Sequence, residues 1–224
     1  MTAASLPVAA VPSTSRRARH HARVAQLAGR AVALAAFLAV PLTFGELHSL
    51  RAYHPIITWL CAYTPERLFH GEVWTLPMSA LISARPDALG TNVVVPMVVL
   101  APFVMACGIV RPLRAFFSGH VVATLAAALV ISAGAVLSVP ESRTLLHSVD
   151  AGVSAGLAAA GGALAMALLR TRWRALAVVL TAVLLGLFMR RIPSEGPTAL
   201  LAECEHLLAF ATGVVVERTW GVRN

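Results

Sequence analysis

The chain alternates long apolar runs with short breaks that carry Arg, Pro and Gly, and this alternation predicts helices throughout. Apolar runs fall at 28–46, 79–110, 115–138, 151–169, 175–189 and 199–217. The second is polar at first, with Arg85, Asp87 and Asn92, and then continuously apolar from Val93 to Val110. About 20 apolar residues at a rise of about 1.5 Å each match a hydrocarbon layer of about 30 Å, so these runs read as six membrane-crossing helices. Between the first and second, residues 46–78 interleave Tyr53, Trp59, Tyr63, Phe69 and Trp74 with His48, Arg51, His54, Arg67 and His70. Aromatic and polar residues mixed in this way belong at headgroup level, which predicts an interfacial loop with short helices.

Composition strengthens the membrane reading. The 224 residues are 58% hydrophobic and 12% charged, and the mean hydropathy is +0.78, well outside the range of ordinary soluble domains. The fold class expected is therefore all-α, a polytopic membrane protein with a six-helix bundle. Residues 1–26, with Arg16, Arg17, Arg19 and Arg23, read as a disordered basic tail, 27–218 as the membrane domain and 219–224 as a short second tail. A signal peptide competes for the N-terminus, but its charged region would be unusually long and no convincing cleavage site follows the apolar run.

The net charge of +8 does not point to nucleic acid, because the Arg residues sit at the ends of apolar runs. All 18 basic residues are Arg, a usage that fits a GC-rich bacterial genome. The N-terminal tail, Arg111 to Arg114, Arg170 to Arg174 and the C-terminus carry most of them. That distribution predicts a multi-pass protein of the cell membrane with both termini in the cytoplasm. Arg190 and Arg191 are the exception, accommodated by snorkelling to the headgroups. Cys61, Cys107 and Cys204 have no metal or redox spacing and read as buried small apolar residues. His48, His54 and His70 fit no compact ligand pattern, so no metal is expected.

Two polar residues inside apolar runs carry candidate chemistry. Ser154 lies in Asp150-Ala-Gly-Val-Ser-Ala-Gly156 at the start of the fourth run, and His206 lies in Glu203-Cys-Glu-His-Leu-Leu-Ala-Phe-Ala-Thr-Gly213 near the start of the sixth. A plain reading is open: Asp150 caps the helix, and Gly152 and Gly156 let another helix pack close. The functional reading starts from depth. Ser154 precedes Arg170 by about 24 Å of helix and His206 precedes Trp220 by about 21 Å, so both lie in the outer part of the bilayer. Gly152, Gly156 and Gly162 on one helix, with Ala209 and Gly213 on the other, allow close approach. A neutral His is the commonest base for a Ser hydroxyl near pH 7. Glu203 and Glu205 are close to His206 in sequence, but Glu205 points about 100° away and no third carboxylate is clearly placed.

These features resemble the rhomboid family of intramembrane serine proteases over about residues 30–218. The resemblance consists of six spans, an interfacial loop after the first, Gly152-Val-Ser-Ala155 with Gly162 eight residues past the Ser, and His206 with small residues three and seven positions beyond it. Trp74-Thr-Leu-Pro-Met-Ser-Ala-Leu-Ile-Ser83 is similar to the family's entry into the second span, and Asn92 falls 18 residues after the Trp. The resemblance implies Ser154 as nucleophile, His206 as base, and Asn92 with the Ser154 backbone N–H as oxyanion donors. It implies no cofactor, and a substrate that is a transmembrane segment of another membrane protein in the same lipid bilayer. The sequence departs from the family at Ser83 and Ala88, where His is usual, and at Thr75, where Arg is usual. A catalytically inactive rhomboid-like protein that binds membrane-protein clients is the alternative, and an unrelated six-span protein is a third.

Overall fold

The computed structural model describes residues 16–50, 52–82, 93–149, 153–189 and 192–221, and its regular elements in these residues are helices. In chain order they are α1 (Arg16–Ser49), α2 (His54–Cys61), α3 (Pro65–Phe69), α4 (Thr75–Ser79), α5 (Val95–Cys107), α6 (Val110–Val136), α7 (Pro140–Leu145), α8 (Ser154–Leu169), α9 (Arg174–Met189) and α10 (Ile192–Trp220). Two stretches, Arg16–Phe44 and Val110–Val136, are long and apolar enough to cross a membrane. Val95–Cys107, Ser154–Leu169 and Arg174–Leu184 are apolar but shorter.

α8 is the axis of the assembly. It is buried from Ala155 through Ala165 and apolar on every side, as a helix surrounded by other helices must be. α10, α6, α9 and α5 all pack on it, and α1 packs on α5. One apolar cluster joins Leu34 and Leu38 of α1, Val99, Leu100 and Val104 of α5, Phe116 of α6, and Leu157 and Ala160 of α8. A second consists almost wholly of alanines: Ala123, Ala155, Ala158, Ala159 and Ala209. Short side chains there bring three helix backbones together, so packing rather than bulk fills the space.

Residues 52–82 fold into the short helices α2, α3 and α4, and Arg67 holds this segment together. Its Nη1 donates to the carbonyl of Thr58 at 3.1 Å and to that of Ala62, its Nη2 donates to the carbonyl of Trp59, and its guanidinium pairs with Glu72. Thr58 and Trp59 lie in the last turn of α2, where the carbonyl end of the helix carries partial negative charge; the Thr58 carbonyl also accepts from the Ala62 N–H at 2.9 Å. Burial pushes the thiol of Cys61, in the same turn, up to about 11, against the lowering pull of Arg67. The loop is also tied to the segment that precedes α8. Glu66 N–H donates to the Leu146 carbonyl at 3.3 Å, and His147 Nδ1 lies 2.7 Å from Glu66 Oε2.

Four expectations are corrected. Arg16, Arg17, Arg19 and Arg23 form the first turns of α1 instead of a disordered tail. No Pro interrupts Arg16 to Val40, and Arg and Ala are strong helix formers, so the helix extends beyond its apolar run. Ile192 to Thr198 belong to α10 and not to a loop, with Pro193 in the first turn, where no intrahelical donor is required. The residue preceding the first turn of α8 is Val153, which makes no side-chain cap; Asp150 and Gly152 lie outside the described residues. Of the cysteines only Cys61 is fully buried, while Cys107 is half-buried and Cys204 exposed.

Candidate active site

α8 and α10 cross backbone to backbone. A Cβ on Gly162 would stand 3.0 Å from the carbonyl carbon of Phe210, and one on Gly213 would stand 2.6 Å from that of Ala159. Both are well inside the about 3.5–4.0 Å of a relaxed carbon contact. Gly119 of α6 faces Ala159 and the Ala209 carbonyl at the same junction, and Gly156 faces the ring of Phe116. The two helices run in the same direction, because Arg170 at the end of α8 reaches the carbonyl of Arg218 near the end of α10, at 3.5 Å.

That geometry fixes the level of the two candidate residues. Ser154 lies about 10 Å up α8 from the crossing and His206 about 8 Å up α10, at about 1.5 Å per residue. His206 is two turns before Gly213, on the side of α10 that meets α8. Ser154 is about 80° around α8 from Gly162, at about 100° per residue. It therefore lies on the flank that lines a groove of about 120 Å³ with Val95 and Val99 of α5, Leu157 and Ala158 of α8 and Leu184 of α9. Ser154 is exposed, and among the described residues its hydroxyl has no hydrogen-bond partner. The fold thus brings Ser154 and His206 to one depth on touching helices without joining them by a hydrogen bond.

Ser154 is also the first residue of α8, whose first N–H groups have no intrahelical acceptor. Leu157 N–H is the first to be paired inside, with the Val153 carbonyl at 2.9 Å. A helix N-terminus of this kind favours negative charge beside the hydroxyl. Asn92, Ser83 and Ala88 lie outside the described residues.

His206 has a carboxylate partner that the sequence did not make evident. Its Nδ1–H donates to Glu203 Oε2 at 3.2 Å, and the two side chains are 14% and 4% exposed. A Glu three residues before a His on a helix is a neighbouring pair, so the signal was present in Glu203-Cys-Glu-His206. Glu205 is turned toward α6 instead, where its Oε1 accepts from Thr124 Oγ1 at 2.8 Å.

A second buried polar cluster ties α4 to α6. His120, 2% exposed, sits with Nε2 2.9 Å from Ser79 Oγ and 3.0 Å from the Leu76 carbonyl. A carbonyl can only accept, so Nε2 carries the proton, and the Ser79 hydroxyl donates to the same carbonyl at 2.9 Å. This cluster fixes α4 on α6 and is not part of the lining of the groove beside Ser154. Comparison of the chain with family models, with curated proteins and with solved structures found no match in any of the three.

Proposed function

We propose that this chain is an intramembrane serine peptidase that cleaves the transmembrane segment of another membrane protein. In this reading α1, α5, α6, α8, α9 and α10 are six spans of a cell-membrane protein with both termini in the cytoplasm. A substrate helix that unwinds near the outer surface enters the groove between α5 and α9. The Ser154 hydroxyl attacks the scissile carbonyl, and His206 Nε2 takes its proton. The carbonyl oxygen becomes an oxyanion held by the Ser154 N–H and the Asn92 amide. Collapse breaks the C–N bond, His206 returns the proton to the leaving amine, and water then hydrolyses the acyl-Ser154 ester by the same base.

The observation that carries this reading is the Ser154 hydroxyl at the head of α8, without a hydrogen-bond partner among the described residues, in the first turn of the helix and lining an apolar groove, with His206 at its level on the touching helix. Incubation of the full-length protein in lipid with a fluorophosphonate tests it. Wild type is expected to be labelled and to cleave a model substrate span, while Ser154→Ala and His206→Ala each abolish both. The double variant is expected to lose little more than either single one, since groups acting as a unit are non-additive.

The apolar lining of the groove, Val95, Val99, Leu157 and Leu184, supports a second reading, a client-binding protein that uses the same groove without hydrolysis. In that case wild type is neither labelled nor active, and both variants retain their membrane-protein partners.

A further inference from the structure

We infer that Glu203 is a positioning residue that fixes the tautomer of His206, making the base a buried Glu–His pair and not a lone imidazole. The inference rests on the peptidase reading for its catalytic consequence, but its structural core does not. Glu203 is 3% exposed and lies one turn above His206 on the same side of α10. A carboxylate is an acceptor only, so a contact of 3.2 Å to Nδ1 places the ring proton on Nδ1 and leaves the lone pair on Nε2. A base with Nε2 protonated could not accept from a Ser hydroxyl. The neutral imidazole offers both tautomers, and a fixed carboxylate selects one.

A second effect follows from charge. When Nε2 accepts the Ser154 proton the ring becomes imidazolium, and the largely buried Glu203 carboxylate is an anion in contact with it. Its attraction grows as the transition state forms, which is the condition for raising turnover and not merely binding. Glu205 cannot substitute, because Thr124 and the turn of the helix hold it toward α6.

The test uses full-length protein in lipid bilayers with ¹⁵N-labelled histidine, the His206 signal being identified by its loss in His206→Gln. Wild type is expected to show a protonated Nδ1 and an unprotonated Nε2, and Glu203→Ala to lose that preference. In parallel, Glu203→Ala and Glu203→Gln are expected to lower kcat by about 10²- to 10⁴-fold, by analogy with other serine hydrolases whose orienting carboxylate is removed. KM is expected to stay within about twofold, and Glu203→Gln to unfold at the wild-type temperature. A purely structural Glu203 would shift unfolding and leave both the tautomer and the kcat-to-KM split unmoved. If wild type proves inactive but carries the Nδ1–H tautomer and loses it in Glu203→Ala, the peptidase reading fails and the Glu–His pair stands. If the tautomer is absent in wild type, or survives Glu203→Ala, the inference is overturned whether or not the protein cleaves anything.

Discussion

Replacing Gly213 with Ala probes the crossing that brings Ser154 and His206 to one level. The added Cβ would overlap the Ala159 carbonyl oxygen and stand 2.6 Å from its carbon and 2.9 Å from its Cα. These are backbone atoms in the middle of α8, so no rotamer change relieves the overlap. Restoring about 3.5 Å requires the helices to part by about 1 Å. Overpacking of this kind costs about 1–3 kcal/mol, expected as a fall of several degrees in unfolding temperature. A displacement of about 1 Å between reacting groups costs about 10²-fold in rate. Gly186→Ala is the control, because a Cβ there meets nothing within 4 Å and Ala favours the helix by about 1 kcal/mol. Thermal unfolding and the rate of fluorophosphonate labelling of Ser154 read the two effects separately. Gly213→Ala with the unfolding temperature and labelling rate of wild type would refute the account of the crossing.

Arg67→Ala is expected to loosen the short helices between residues 54 and 72, since it strips one donor from each of the carbonyls of Thr58, Trp59 and Ala62 together. The cost is about 1–3 kcal/mol, read as faster amide exchange across residues 54–72, and Arg67→Lys should recover little because an ammonium lacks the guanidinium fork. Cys61 makes stability fall in alkali. Its folded thiol keeps its proton to about pH 11 whereas the ordinary value is 9.0, so its contribution is complete below about pH 9 and is lost as pH rises toward about 11. Cys61→Ala should flatten the stability profile across that window; a slope unchanged by the substitution would assign it to another group.

Long apolar runs proved legible because burial of a continuous apolar segment fixes a helix whatever surrounds it. The runs at 115–138, 151–169 and 175–189 correspond to α6, α8 and α9 within a few residues. Helix ends were less legible. α1 and α10 continue past their apolar runs because hydropathy reports the medium around a helix and not where its hydrogen-bond ladder stops. The short helices of residues 54–79 were readable from composition, but the role of Arg67 was not, since its acceptors are main-chain carbonyls that any residue could supply. In the site, Ser154 and His206 stood out as polar residues in apolar runs, whereas the direction of Ser154 toward the groove of α5 and α9 depends on how α8 is rotated among its neighbours.

Three glutamates of α10, Glu203, Glu205 and Glu217, show where that limit falls. Glu203 and Glu217 are 3% and 4% exposed and Glu205 is half-buried, and each has a partner: His206, Arg111 and Thr124. A buried carboxylate without one would cost several kcal/mol, so pairing is required of all three. Composition therefore announces that partners exist and does not say which they are. The Arg111–Glu217 pair joins residues 106 positions apart and appears only once α6 and α10 are packed. The Glu203–His206 pair needs nothing but one turn of helix. A carboxylate that meets a candidate base within its own helix is thus the one second partner that a sequence reading can find before the fold is known.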